Sequence, residues 1–168
     1  AASKDSSIYD VKDDVVWNKL SRLFDAKVGD DCDAGMLKQI YTEGKERYEN
    51  KIPPGYSDSK NKKEENKRQL YGDLILWKQV MIMAKELKKD VVFVTSDVKE
   101  DWFQKTLRGE AKHHRVELIK EFSEHTGGKR ILIYNQNAFL YNIEKYLGTT
   151  VNSNAHKEIK EVSAKETK

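Results

Sequence analysis

From Leu70 to Leu87 the chain is apolar on almost every side of a helix, leaving Lys78, Gln79, Lys85 and Glu86 for solvent, and after three polar residues it reads VVFV. A helix that is greasy all round belongs inside a protein. Four apolar residues bounded by polar ones are too short for a helix and predict a buried strand, of the kind parallel sheets use. A covered helix feeding a buried strand is the signature of an α/β fold. The flanking segments agree. Val16, Leu20, Leu23 and Phe24 recur at helical spacing within residues 13–24, with Asp13 and Asp14 suited to the start. After a turn-like KVGDD, the residues Met36, Leu37, Ile40, Tyr41 and Tyr48 predict a second helix, which must stop before Pro53 and Pro54. A further helix over Val116–Phe122, a second strand at ILIY after Gly127 and Gly128, and a helix over Ala138–Leu147 complete the alternation. Trp17, Trp77, Tyr134 and Phe139 read as core aromatics.

A chain of 168 residues accommodates one domain with a real core. With 38% hydrophobic and 35% charged residues, the core is modest and at least one segment is solvated. The domain is placed at residues 11–147, after a flexible segment 1–10. Beyond Gly148 the apolar residues thin to Val151, Ile159 and Val162, which predicts a disordered tail over 148–168. The net charge of +3 hides lysine clusters at residues 60–68 and in the last dozen, which permit a nucleic-acid partner without demanding one. The lone Cys32 excludes an internal disulfide and suits a reducing cytosol. No run reaches the roughly 18 apolar residues of a membrane span, and AASKDSS lacks a signal-peptide core, so a soluble cytoplasmic protein is expected. No Walker loop, dinucleotide glycine fingerprint, nucleophile elbow or zinc signature is present. His113 and His114 lack the spacing of a helical metal pair, and His125 and His156 have no obvious partner, so no site is assigned to them.

The acids are more informative. Asp73 heads a stripe of Leu76, Val80, Met83 and Leu87 that is otherwise core, at the rim of the interior. A carboxylate there needs a cation, a metal or backbone N–H groups. It can also be an ordinary helix cap. Asp97 lies three residues past VVFV, and ligands of open α/β sheets bind outside the carboxyl ends of strands. Asp101 follows four residues later; if DVKED begins a helix, both acids share its first turn. The alternative is helix capping by Asp97 with Asp101 solvated. Several carboxylates meeting in one crevice repel unless a hard divalent cation such as Mg²⁺ or Mn²⁺ joins them, as in many nucleases.

The stretches RYENKIPPGYSD, YGDLILW, VVFVTSDVKEDW and ELIKEF occur in the order of a known family. Over roughly residues 15–145 the chain resembles the PIN-like domains, in particular a subgroup with an IPPGY-D loop and a T-D-K-DW strand exit. The resemblance implies a parallel sheet flanked by helices and Mg²⁺- or Mn²⁺-dependent RNA cleavage. By position, Asp73 and Asp97 match the family's metal-holding acids, and Asp101 with Trp102 matches the subgroup's DW. The chain begins after the aspartate-bearing first strand and early glutamate of such domains, which implies the C-terminal two-thirds of one and impaired activity in isolation. Asp73, Asp97 and Asp101 are therefore the expected catalytic and metal-binding residues, with Asp58, Lys60, Lys99, Tyr56 and Trp102 contacting substrate. Lys60, Lys62, Lys63, Lys67 and Arg68 can attract phosphates, although Glu64 and Glu65 interrupt them and a solvated loop fits equally. Tyr56 and Trp102 can stack bases, and Trp102 can equally be core. Arg47 and Tyr48 can pin the proline loop. The rival reading is a catalytically silent PIN-like module that binds RNA or a protein partner. A homo-oligomer is also compatible.

Overall fold

Four helices start on caps that the sequence supplies: Asp14, Asp33, Asn66 and Asn135 each accept backbone N–H groups at the beginning of α1 (Val15–Phe24), α2 (Ala34–Glu49), α3 (Lys67–Leu70) and α6 (Gln136–Leu147). The computed structural model describes residues 14–25, 27, 29–61, 64–108 and 111–166. Residues 1–32 form one compact unit and 33–168 another. The first contributes the amphipathic α1. The second carries the remaining elements: α2, a 3₁₀ helix (Tyr56–Asn61), α3, α4 (Gly72–Leu87), β1 (Val91–Val94), β2 (Phe103–Lys105), β3 (Ala111–His114), α5 (Val116–His125), β4 (Ile131–Tyr134), α6 and α7 (Ser153–Glu166).

β1 and β4 pair in parallel with Val91 opposite Ile131 and Val94 opposite Tyr134. Asp90 clamps the entry to this pair, taking the Arg130 backbone N–H at 2.9 Å and its guanidinium at 2.7 and 2.9 Å. The connection from β1 to β4 contains the antiparallel β2–β3 hairpin, irregular at Gln104/Lys105, and then α5. A parallel pair needs such a crossover. The result is a mixed helix and strand fold with a two-stranded parallel sheet flanked by helices, as expected from the alternation of elements.

The core is aromatic. Trp77 of α4 meets Trp102 edge-on at 6.0 Å and Phe122 of α5 at 5.9 Å, while Phe93 of β1 stacks on Trp102 at 5.3 Å. Each such pair is worth about 0.5–1.5 kcal/mol beyond its buried area. Leu74 and Leu118, both fully buried, fill the remaining space. Gly44 lets α2 close on the start of α4, because a Cβ there would lie 2.5 Å from the Tyr71 ring.

One ion network centred on the buried Arg47 ties these helices together. Arg47 of α2 forms a bidentate pair with Glu121 of α5 at 2.6 and 2.8 Å, and reaches Glu43 at 3.0 Å. Glu43 also pairs with Lys78 of α4 at 2.7 Å. The second oxygen of Glu121 accepts the Trp77 indole N–H at 3.0 Å. Arg47 donates in addition to the Pro53 carbonyl, which sets the path of the loop that follows α2.

Several expectations are corrected by these contacts. Segment 148–168 carries α7 where a disordered tail was expected: Glu144 of α6 accepts the Val151 N–H at 3.1 Å and pairs with His156 at 3.2 Å, so a turn leads into a helix. Leu76, Met83 and Leu87 face outward, since α4 buries Leu74, Trp77, Met81 and Ala84 instead. VVFV alternates: Phe93 turns to the core while Val92 is 55% exposed, and Leu132 on β4 behaves like Val92. Trp17, read as core, is 56% exposed on α1. The segment 1–10, expected to be flexible, lies outside the described residues.

Removing Arg47 takes the bidentate partner from Glu121, whose side chain is 17% exposed, so Arg47→Met is expected to cost about 3 kcal/mol in urea unfolding. The network also sets a pH dependence. Burial pulls the Glu121 carboxyl upward, but the hydrogen bonds and charge of Arg47, with Trp77 and Lys78, outweigh it and hold the group below its ordinary range. Glu43 is likewise lowered, with Lys78 and Arg47 overcoming burial. A carboxyl lowered by folding stabilises above its unfolded value and loses that contribution as pH falls through its folded value. Unfolding free energy should therefore hold above about pH 5 and fall steadily below about pH 4.5, with a shallower fall in Glu121→Gln.

Candidate metal centre

Three segments bring carboxylates to one place. At the carboxyl end of β1 the chain turns through Thr95, whose hydroxyl accepts the Asp97 N–H at 3.0 Å, and Asp97 in turn accepts the Lys99 N–H at 3.0 Å. These two short-range bonds fix the direction of the Asp97 side chain without a helix. Asp73 lies in the first turn of α4, where the helix N-terminus favours a negative charge. It is not the cap, since the residue at that position is Tyr71. Asp58 comes from the 3₁₀ helix after the prolines. One oxygen from each of Asp58, Asp73 and Asp97 lies within 4.8 Å of the others, and all three side chains are half-buried.

The loop that delivers Asp58 is held from below. Asp101 is 1% exposed, and its Oδ2 accepts the backbone N–H groups of Gly55 at 2.9 Å and Ser57 at 3.0 Å. Gly55 is required there. Its φ of +93° disfavours any side chain, and a Cβ would lie 3.0 Å from Asp73 Cβ and press on the Tyr48 hydroxyl. Burial, followed by the charges of Asp73, Asp101 and Asp58, pushes the Tyr48 phenol far above its ordinary range. It stays neutral and donates to the Leu70 carbonyl at 3.2 Å.

Lys99 bridges two of the three acids. Its ammonium lies 2.8 Å from Asp58 and 2.8 Å from Asp97. Burial works against its charge, but hydrogen bonds to Asp58 and then Asp97 dominate and raise its pKa well above the ordinary lysine value.

The structure thus gathers Asp73 and Asp97, as expected, and joins Asp58 to them as an equal member. Asp101 stands apart. The DVKED stretch is a turn leading into β2, so Asp97 and Asp101 do not share a helical face, and Asp101 points to backbone amides rather than to the group of three. Trp102 is 2% exposed and covered by Phe93 and Trp77, so its ring offers no face to a base. Tyr56 is half-buried near Glu100 and Arg115. The Lys60 side chain lies outside the described residues. Thr95 and Gly55 escaped the sequence reading as parts of the site; the glycine beside two prolines was the available signal.

A protein-family model described as PIN like domain matches residues 1–118. The chain belongs to the PIN-like domain family. Comparison with curated proteins and with solved structures finds no match. The matched span of the PIN-like domain contains Asp58, Asp73, Asp97 and Asp101 and ends inside α5. The donor set fits the divalent metals typical of this family: three hard anionic oxygens, with no thiol or imidazole among them, suit Mg²⁺ or Mn²⁺. No helix among the described residues is long and apolar enough to cross a membrane.

Two substitutions separate support from ligation. Asp101→Asn keeps an acceptor oxygen for the Gly55 and Ser57 amides, and is expected to leave Mn²⁺ affinity within about threefold of wild type by isothermal titration. Gly55→Ala, which meets both an unfavourable φ and two contacts, is expected to lose about 2–4 kcal/mol in chemical denaturation.

Proposed function

We propose that this PIN-like domain is a divalent-metal-dependent endoribonuclease module in which Asp58, Asp73 and Asp97 hold Mg²⁺ or Mn²⁺. The observation that carries the reading is the approach of three carboxylate oxygens, from three separate segments, to within 4.8 Å of one another. Like charges so close repel, and such an arrangement is sustained where a cation is shared. When bound, the ion supplies polarisation of the phosphodiester and a water of lowered pKa. The protein's residues do the rest. Thr95 and the Lys99 N–H orient Asp97, while Arg47 and Asp101 fix the loop that carries Asp58. Lys99, half-exposed beside Asp58 and Asp97, would meet a phosphate oxygen, and Tyr56 at the start of the same 3₁₀ helix as Asp58 would contact a base or sugar. The basic stretch from Lys60 to Arg68 follows Asp58 directly and favours a polyanion. RNA as the polyanion follows from the resemblance set out above.

The test is cleavage of labelled single-stranded RNA with Mn²⁺, Mg²⁺ or EDTA. Asp73→Asn and Asp97→Asn should each lose about 10²–10³-fold in metal-dependent rate; Asp73→Asn should also retain or gain thermal stability in EDTA by relieving like-charge repulsion, whereas Asp97→Asn gives up its ion pair with Lys99. Full Mn²⁺-dependent cleavage by Asp97→Asn would refute the assignment. RNA binding by the wild type with no cleavage at any metal concentration would point instead to a silent binding module.

A further inference from the structure

Lys99 occupies an unusual position for a substrate-contacting residue. Its ammonium lies 2.8 Å from Asp58 Oδ1, 3.0 Å from Asp58 Oδ2 and 2.8 Å from Asp97 Oδ2, so it is bonded to the carboxylates that would hold the metal. A divalent ion seated on those carboxylates would face an ammonium at close range, and the repulsion between them leaves room for one cation at a time. The construction of the turn makes an exchange simple. Asp97 uses Oδ2 for the ammonium and Oδ1 for the Lys99 backbone N–H at 3.0 Å, so the main chain of residue 99 stays anchored whichever way its side chain points. The side chain is 46% exposed, long and flexible, and its ammonium hydrates readily once released.

We infer that Lys99 is the site's internal counter-cation: it bridges Asp58 and Asp97 before metal loading and is displaced to the crevice mouth when a divalent ion enters. This rests on the metal-binding reading above. It gives the residue two successive partners, first the acids and then the solvent-facing mouth where a phosphate would arrive. It also means that the intrinsic affinity of the three carboxylates for metal is partly masked in the wild-type chain.

The experiment is Mn²⁺ titration by calorimetry on the full 168-residue chain, paired with thermal unfolding in EDTA and in saturating Mn²⁺. Lys99→Met is expected to bind Mn²⁺ about three- to tenfold more tightly than wild type, because the competitor is gone. It should also melt about 2 °C lower than wild type in EDTA, with that deficit closing in saturating Mn²⁺. Lys120→Met, which removes a charge from α5 without touching these carboxylates, controls for net charge and should leave affinity unchanged. Lys99→Gln repeats the charge loss should the methionine variant fold poorly. Affinity in both Lys99 variants no tighter than in Lys120→Met, or a melting deficit that persists unchanged in Mn²⁺, overturns the exchange while leaving the metal centre intact. Absence of Mn²⁺ binding by the wild type and by both Lys99 variants overturns the metal centre itself, a result the calorimetry separates from the first.

Discussion

The bidentate pair between Arg47 and Glu121 is the constraint on which the rest of this PIN-like domain is arranged. A guanidinium that is almost wholly buried must have every strong partner supplied by the protein, and here the partners come from different elements. Glu121 belongs to α5, Glu43 to the same helix as Arg47, and the Pro53 carbonyl to the loop beyond α2. Because Glu121 also takes the Trp77 N–H, the same carboxylate that closes α2 on α5 sets the rotation of the central tryptophan. A buried pair of this kind adds little net stability over a well-packed apolar substitute. What it fixes is relative position, and the position matters because the loop it holds ends in Asp58.

The site itself is built in two layers of different character. Above are acids whose mutual repulsion opposes folding, offset in part by the Lys99 ammonium. Below are groups that gain by folding: the Phe93, Trp77, Trp102 and Phe122 cluster, and Asp101 bonded to two backbone amides. Asp101 and Trp102 are neighbours in sequence and both nearly inaccessible. The DW dipeptide is thus a foundation, which puts a carboxylate under one loop and an indole under the strand.

Residues whose environment depends on near neighbours were legible in the sequence. The apolar run of α4 and the short strands VVFV and ILIY gave the α/β alternation, and Asp73 and Asp97 could be placed at one crevice because helix start and strand end fix both. Residues whose role depends on distant contacts were not. Nothing local distinguishes Asp101, which meets the loop around residue 55, from a solvated aspartate, and nothing local marks Arg47 as the partner of an acid 74 residues away. The β2–β3 hairpin escaped because FQK and AKHH lack apolar alternation; only Phe103, opposite His114 at one end of the pair, is buried in β2. The outward-facing Val92 was read as buried because apolar identity alone does not say which face of a strand is covered.

The grip of Asp101 on the Gly55 and Ser57 amides has an evolutionary consequence. An amide hydrogen is common to every amino acid except proline, so this contact itself reads no side chain, and at position 57 the only demand is that the residue fit where the Ser57 hydroxyl is buried. The loop can therefore change at the side chains that these two amides leave uncommitted while the carboxylate of Asp58 stays in register.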